Sequence, residues 1–122
     1  MRIFKTAWFR RFARREGIAD KILRDAIANA HKGLVDADLG GNVIKQRIAR
    51  AGQGKSAGYR TIIVFKREDK AFFVYGYAKK ERDNIDQGEV DAFKQAAKEL
   101  LALSDEQIEA LIEKGTLTEV KP

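Results

Sequence analysis

Residues 59–78 read YRTIIVFKREDKAFFVYGYA, two runs of β-branched and aromatic side chains on either side of the polar turn Arg67-Glu68-Asp69. Such runs favour extended backbone, and so short a connection makes them an antiparallel hairpin with strands over 59–66 and 71–78. Their apolar character is nearly continuous, so both faces of the hairpin need cover. Immediately upstream, residues 43–50 alternate, which sets Ile44, Gln46 and Ile48 on one face of a further strand and Lys45, Arg47 and Ala49 on the other. A glycine-rich loop, 51–58, joins that strand to the hairpin.

Outward from this sheet the period becomes helical. Ile3 and Phe4 suit a short first strand, Thr6 is an N-cap for a helix over 7–16, and Gly17 stops that helix. Trp8, Phe9 and Phe12 form its apolar face and read as core. Ile18, Ile22, Leu23, Ala26, Ile27 and Ala30 carry the period into a second helix with Gly33 beyond its end. On the C-terminal side, Asp86 with Glu89 opens a helix striped by Val90, Phe93, Ala97, Leu100 and Leu101. Ser104 with Gln107 opens a shorter one carrying Ile108, Leu111 and Ile112, ended by Gly115.

The expected order is β-α-α-β-β-β-α-α. This is an α+β domain, a small antiparallel β-sheet with an N-terminal helical hairpin and C-terminal helices, and the helices are expected on one side. Neither an internal repeat nor a linker is visible. Residues 1–122 are therefore expected to form a single domain, with 103–122 a C-terminal helical extension.

The 122 residues are 44% hydrophobic and 34% charged with one proline, a composition that argues against disorder, collagen-like repeats and a coiled-coil rod. The longest apolar run, 71–77, is about a third of the length a membrane helix needs, so no membrane partner is expected. The opening residues, Met1-Arg2-Ile3-Phe4-Lys5, lack the apolar core of a secretory signal, and a cytoplasmic location is expected. With no cysteine there is no disulfide, thiolate nucleophile or zinc–thiolate centre; a single histidine, His31, rules out multi-histidine metal sites. No metal and no cofactor are expected, and the chemistry falls to Lys, Arg, Tyr, Asp and Glu.

The net charge of +6 is unevenly divided. Residues 1–82 carry 20 Lys and Arg against 8 Asp and Glu, a balance of +12, whereas residues 83–122 carry 4 against 10, a balance of −6. Within the basic part, residues 45–82 hold 11 cations and 3 anions among aromatic and β-branched residues. A sheet with one basic face is the footprint of a nucleic-acid binder, and the plainer alternative is a solvated charged surface.

Ala49-x-x-x-x-Gly54-Lys55-Ser56 fits a loosened phosphate-loop pattern. That loop needs a helix directly after the Lys-Ser, and here a strand follows, so nucleotide hydrolysis is not expected. Lys55 and its glycines still suit close approach to a phosphate backbone. His31 ends a helix, where an imidazolium complements the dipole. Tyr59, Tyr75 and Tyr77 fit either the core or base stacking.

The cations form a more specific constellation. Lys45 and Arg47 share a strand face, Arg60 begins the next strand, and Lys79, Lys80 and Arg82 end the third. Meandering antiparallel strands bring these positions together. Such a cluster binds RNA phosphates and stabilises the added charge of a pentacoordinate transition state. Mutual repulsion also lowers lysine pKa values toward those of a usable acid or base.

These segments resemble a known family. Ile44-Lys45-Gln46-Arg47-Ile48-Ala49, Gly52-Gln53-Gly54-Lys55-Ser56-Ala57-Gly58-Tyr59-Arg60 and Tyr75-Gly76-Tyr77-Ala78-Lys79-Lys80-Glu81-Arg82 look like the RelE toxins of bacterial type II toxin–antitoxin pairs, particularly their HigB-like branch. The motifs cover about residues 42–86, and the order of elements extends the likeness over most of the chain. The resemblance implies a RelE-like fold and a ribosome-dependent, metal-free endoribonuclease that cuts mRNA by attack of the 2′-hydroxyl on the adjacent phosphate. It implies three kinds of partner: a cognate antitoxin protein, mRNA and 16S rRNA in the ribosomal A site, and operator DNA reached only through the antitoxin complex.

Carried over by position, Lys45 takes the base or transition-state role, Arg47 pairs with it, and Arg60 holds the scissile phosphate. Arg50, Lys55, Tyr59, Lys79 and Arg82 are the surrounding RNA-binding candidates. Two positions depart from the best-known members. Lys80 stands where they have an arginine, keeping the charge without the bidentate fork. Asp86 stands where they have a tyrosine, and an aspartate is expected here to cap a helix rather than donate a proton. The proton for the leaving oxygen then comes from a lysine, from a tyrosine elsewhere or from water, with Lys80 the first choice. A gyrase-inhibiting toxin of the ParE type and a non-catalytic RNA- or DNA-binding domain are the alternatives.

Overall fold

The computed structural model describes residues 1–49 and 58–122. The hairpin read from residues 59–78 is the centre of the sheet: β4 (Tyr59–Lys66) and β5 (Lys70–Ala78) pair antiparallel from Tyr59↔Ala78 to Lys66↔Lys70. On one side β3 (Val43–Ile48) pairs antiparallel with β4, and on the other β1 (Arg2–Thr6) runs parallel to β5. Two short strands that the alternation did not reveal complete the sheet. They are β2 (Ala37–Gly40), antiparallel to β3, and β6 (Leu117–Glu119), antiparallel to β1. The strand order is β2-β3-β4-β5-β1-β6.

The helices start and stop where the caps stand. Helix α1 (Ala7–Glu16) begins with the Thr6 hydroxyl accepting from the Phe9 amide and ends at Gly17 with φ +71°. Helix α2 (Asp20–His31) follows, and its terminal His31 lies edge-on to Phe65. Both C-terminal helices, α3 (Gln87–Leu101) and α4 (Asp105–Glu113), open with full capping boxes, Asp86 with Glu89 and Ser104 with Gln107. Asp86 is thus a helix cap. The tail does not end as helix: after α4 it returns as β6, and Leu117 and Val120 are buried.

Helices cover both faces of the sheet, not one. Helices α1 and α2 bury Phe9, Phe12, Leu23 and Ile27 against Ile44, Ile48, Ile63 and Phe73. Helices α3 and α4 bury Ala97 and Ile108 with Val43, Ile62, Val64 and Phe72 on the opposite face. The cause is the doubly apolar hairpin itself, since strands without a polar face cannot leave one side in water. Gln46, the one polar residue on the α2 side of β3, is satisfied by donating to the carbonyls of Ala26 and Leu34.

One irregularity aims the site. The β4–β5 register shifts between Ile62 and Ile63, so that Ile63 faces Phe73 while Ile62 faces Tyr75, and Val74 is left over as a bulge. Beyond it the alternation is inverted, and Tyr75 and Tyr77 join Phe72 on the α3 face. Gly76 then points toward α1, where a Cβ would lie 2.6 Å from the Phe12 ring. Trp8, read as core, is instead 38% exposed, because it sits beside the part of β5 that β1 no longer covers. No helix among the described residues is long and apolar enough to cross a membrane.

Candidate functional site

The alternation of β3 and its register with β4 place Lys45, Arg47 and Arg60 on one face, with Arg47 directly opposite Arg60. Three cations so close repel each other, and one carboxylate stands among them. Arg47 Nε donates to Asp36 Oδ1 at 2.8 Å, while Arg60 Nε and Lys45 Nζ lie 3.4 and 3.6 Å from Asp36 Oδ2. Lys45 also donates to Asn84 Oδ1 at 3.3 Å. The Asp36 amide bonds to the Lys45 carbonyl, so backbone pairing fixes the carboxylate in place.

Beside this cluster two polar atoms are buried without a hydrogen-bond partner among the described residues, Arg60 Nη1 and the Tyr77 hydroxyl. Residues 60 and 77 are cross-strand neighbours. Burial pushes the Tyr77 hydroxyl above its ordinary pKa, against the opposing pull of the Arg60 and Arg82 charges, so it stays a phenol and a proton donor at neutral pH. Buried polar groups are rarely left unpaired, and two together at a cationic cluster point to a ligand with acceptor oxygens.

Arg82 borders the site. Its guanidinium donates to the Asn84 carbonyl and the Tyr75 hydroxyl, pairs with Glu89 and lies 5.6 Å from the Tyr77 ring centre. Lys79 is turned to the Asp83 carbonyl, and Lys80 is exposed in the turn after β5, where it makes no hydrogen bond or ion pair among the described residues. Tyr59 does not join the cluster. It is buried on the α1 side of the sheet and donates to Glu16. Arg50, Lys55 and the phosphate-loop-like stretch lie outside the described residues.

The sequence reading missed Asp36 and Asn84 and left Tyr77 undecided. A usable signal for Asp36 was the two-residue turn Gly41-Asn42, both at positive φ, which closes a β2–β3 hairpin and brings residue 36 alongside the cations. Asn84 stands in an irregular turn and carries no local signal.

Asp36 has a testable role in stability. Burial raises its pKa, but the hydrogen bond from Arg47 and the charges of Lys45, Arg47 and Arg60 outweigh that and hold the carboxyl below its ordinary range. Its contribution is therefore complete above the unfolded-state pKa of about 3.9 and is lost as the pH falls through the lower folded value. Asp36→Ala is expected to lower stability by about 1–3 kcal/mol at pH 7, measured by urea unfolding. The variant's deficit should shrink toward pH 2. A deficit independent of pH would show that the carboxylate does not act through its charge.

Comparison with curated proteins yields no match. Among protein families, residues 1–120 match the model described as the RelE toxin of the RelE/RelB toxin–antitoxin system, and the chain belongs to that family.

Proposed function

We propose that the chain is a ribosome-dependent mRNA endoribonuclease acting in the cytoplasm, neutralised by a cognate antitoxin and reaching operator DNA only within that complex. The observation that carries this reading is the pair of buried atoms without a partner among the described residues, Arg60 Nη1 and the Tyr77 hydroxyl, beside three clustered cations. A phosphodiester entering the cluster meets Arg47 and Arg60 as fork-shaped donors. Lys45 is held by a carboxylate 3.6 Å away, which suits an ammonium that stabilises transition-state charge better than a base. The 2′-hydroxyl passes its proton to water as its oxygen bonds to phosphorus, the bond to the 5′-oxygen breaks, and Tyr77 protonates that leaving oxygen and regains its proton from solvent. Lys and Arg charges supply what a metal ion would otherwise supply, so no metal is needed. Asp36 neutralises part of the cluster and leaves Arg60 Nη1 and the exposed part of Arg47 for the phosphate.

Induced expression in a bacterial host, followed by mapping of mRNA 5′ ends, tests the reading. Expected are new 5′-hydroxyl ends within translated codons and upstream fragments bearing a 2′,3′-cyclic phosphate or its hydrolysed form. A DNA-damage response with intact mRNA would instead identify a gyrase inhibitor, and 3′-hydroxyl products would eliminate 2′-hydroxyl attack.

A further inference from the structure

Strand β1 ends at Thr6 and its pairing with β5 stops at Lys5↔Phe73, so 74–78 has no strand partner on that side among the described residues. Helix α1 crosses the gap and leaves a cavity of about 250 Å³, lined by Trp8, Phe12, Tyr75 and Tyr77, with Arg15 and Arg82 at its rim. Trp8 stacks on Tyr75 with ring centres 4.6 Å apart and on Phe12 at 5.4 Å, yet more than a third of it remains open to solvent. The rings therefore hold one another in place while part of the Trp8 ring stays open to solvent.

The cavity's lining carries two cations, Arg15 and Arg82, and two acids, Glu16 and Glu81, and the excess of positive charge lies along α1. Positions 8, 11 and 15 fall on one stripe of α1, and Arg11 and Arg15 are exposed along it. Of the two acids, Glu16 is engaged by Tyr59 and Arg15. Tyr77 links the two regions, since its ring lines the cavity while its hydroxyl lies beside the cationic cluster with Arg60.

A fixed aromatic platform beside the exposed guanidinium groups of α1 matches single-stranded RNA, whose bases stack on rings while the adjoining phosphates meet cations. We infer that the exposed part of the Trp8 ring, backed by Tyr75, receives an unpaired base of the RNA strand whose phosphate sits at Arg60, with Arg11 and Arg15 on the phosphates beyond it. This rests on the RNA-cleavage reading and assigns that substrate a second point of contact.

Trp8 is the chain's single tryptophan, so its fluorescence reports on the platform alone. The full chain is titrated with a short single-stranded 2′-O-methyl RNA, which cannot be cleaved, and with the same backbone carrying abasic sites. Quenching by the first and not the second is expected. The affinity, read by anisotropy of labelled RNA, should fall about tenfold or more in Trp8→Ala and be largely kept in Trp8→Phe. Equal quenching by abasic RNA, no quenching, or full affinity in Trp8→Ala would overturn the proposal. Cleavage of mRNA on ribosomes by the unaltered chain is measured in parallel. Cleavage without base-dependent quenching removes the platform and leaves the nuclease reading standing, whereas quenching without cleavage does the reverse.

Discussion

The Arg60→Ala protein is expected to fold and to cleave ribosome-bound mRNA about a hundred- to a thousandfold more slowly than the unaltered chain. Arg60 is 6% exposed, its Nε faces Asp36 at 3.4 Å, and its Nη1 is buried without a partner among the described residues. That unpartnered edge is a donor kept for an oxygen outside the protein. Its removal costs the transition state a preorganised charge, and it costs the fold little, because Asp36 keeps Lys45 and Arg47. Arg60→Lys keeps the charge without the planar fork and should fall between the two. The measurement is single-turnover cleavage, with a thermal unfolding curve to confirm the fold and Lys114→Ala, an exposed change in the acidic tail, as control. Full activity in Arg60→Ala would remove this residue from the site.

Local signals in the sequence located the elements whose cause is local. Thr6 and Gly17 bound α1, Asp86 with Glu89 and Ser104 with Gln107 open α3 and α4, and the polar turn 67–69 joins β4 to β5, as side-chain capping and turn chemistry require. The alternation of β3 gave the shared face of Lys45 and Arg47, because a period of two leaves no other arrangement once Ile44, Gln46 and Ile48 are buried.

What stayed hidden depends on partners distant in the chain. Strands β2 and β6 are short edge strands whose hydrophobic pattern is slight, and they exist because β3 and β1 offer them an open edge. The bulge at Val74 has no sequence mark either. Strict alternation from Phe73 would set Tyr75 and Tyr77 under α1; the extra residue turns them to the other face, beside Arg60. The same limit applies to Asp36, whose place is set by a backbone bond to Lys45. Charge counting finds the cations of such a site and misses the single anion that organises them.

That displaced tyrosine bears on the protonation step. With Asp86 spent on capping α3, the donor lies elsewhere, and the two candidates are in different surroundings. Lys80 is exposed in the turn after β5, whereas Tyr77 is buried opposite Arg60 with a hydroxyl that has no hydrogen-bond partner among the described residues. A proton donor must stay protonated until it acts, as a tyrosine does at neutral pH, and burial of Tyr77 acts in the same direction. Tyr77→Phe removes one oxygen that has no partner, so stability should hold while single-turnover cleavage falls by about a hundredfold or more. Lys80→Ala is expected to cleave nearly as fast as the unaltered chain. A substrate with sulfur in place of the bridging 5′-oxygen separates acid catalysis from positioning, because a thiolate leaves without a proton. On that substrate Tyr77→Phe should regain nearly the unaltered rate, and Arg60→Ala should remain slow. If the sulfur substrate rescues Lys80→Ala instead, the exposed lysine is the acid and the buried phenol only shapes the site.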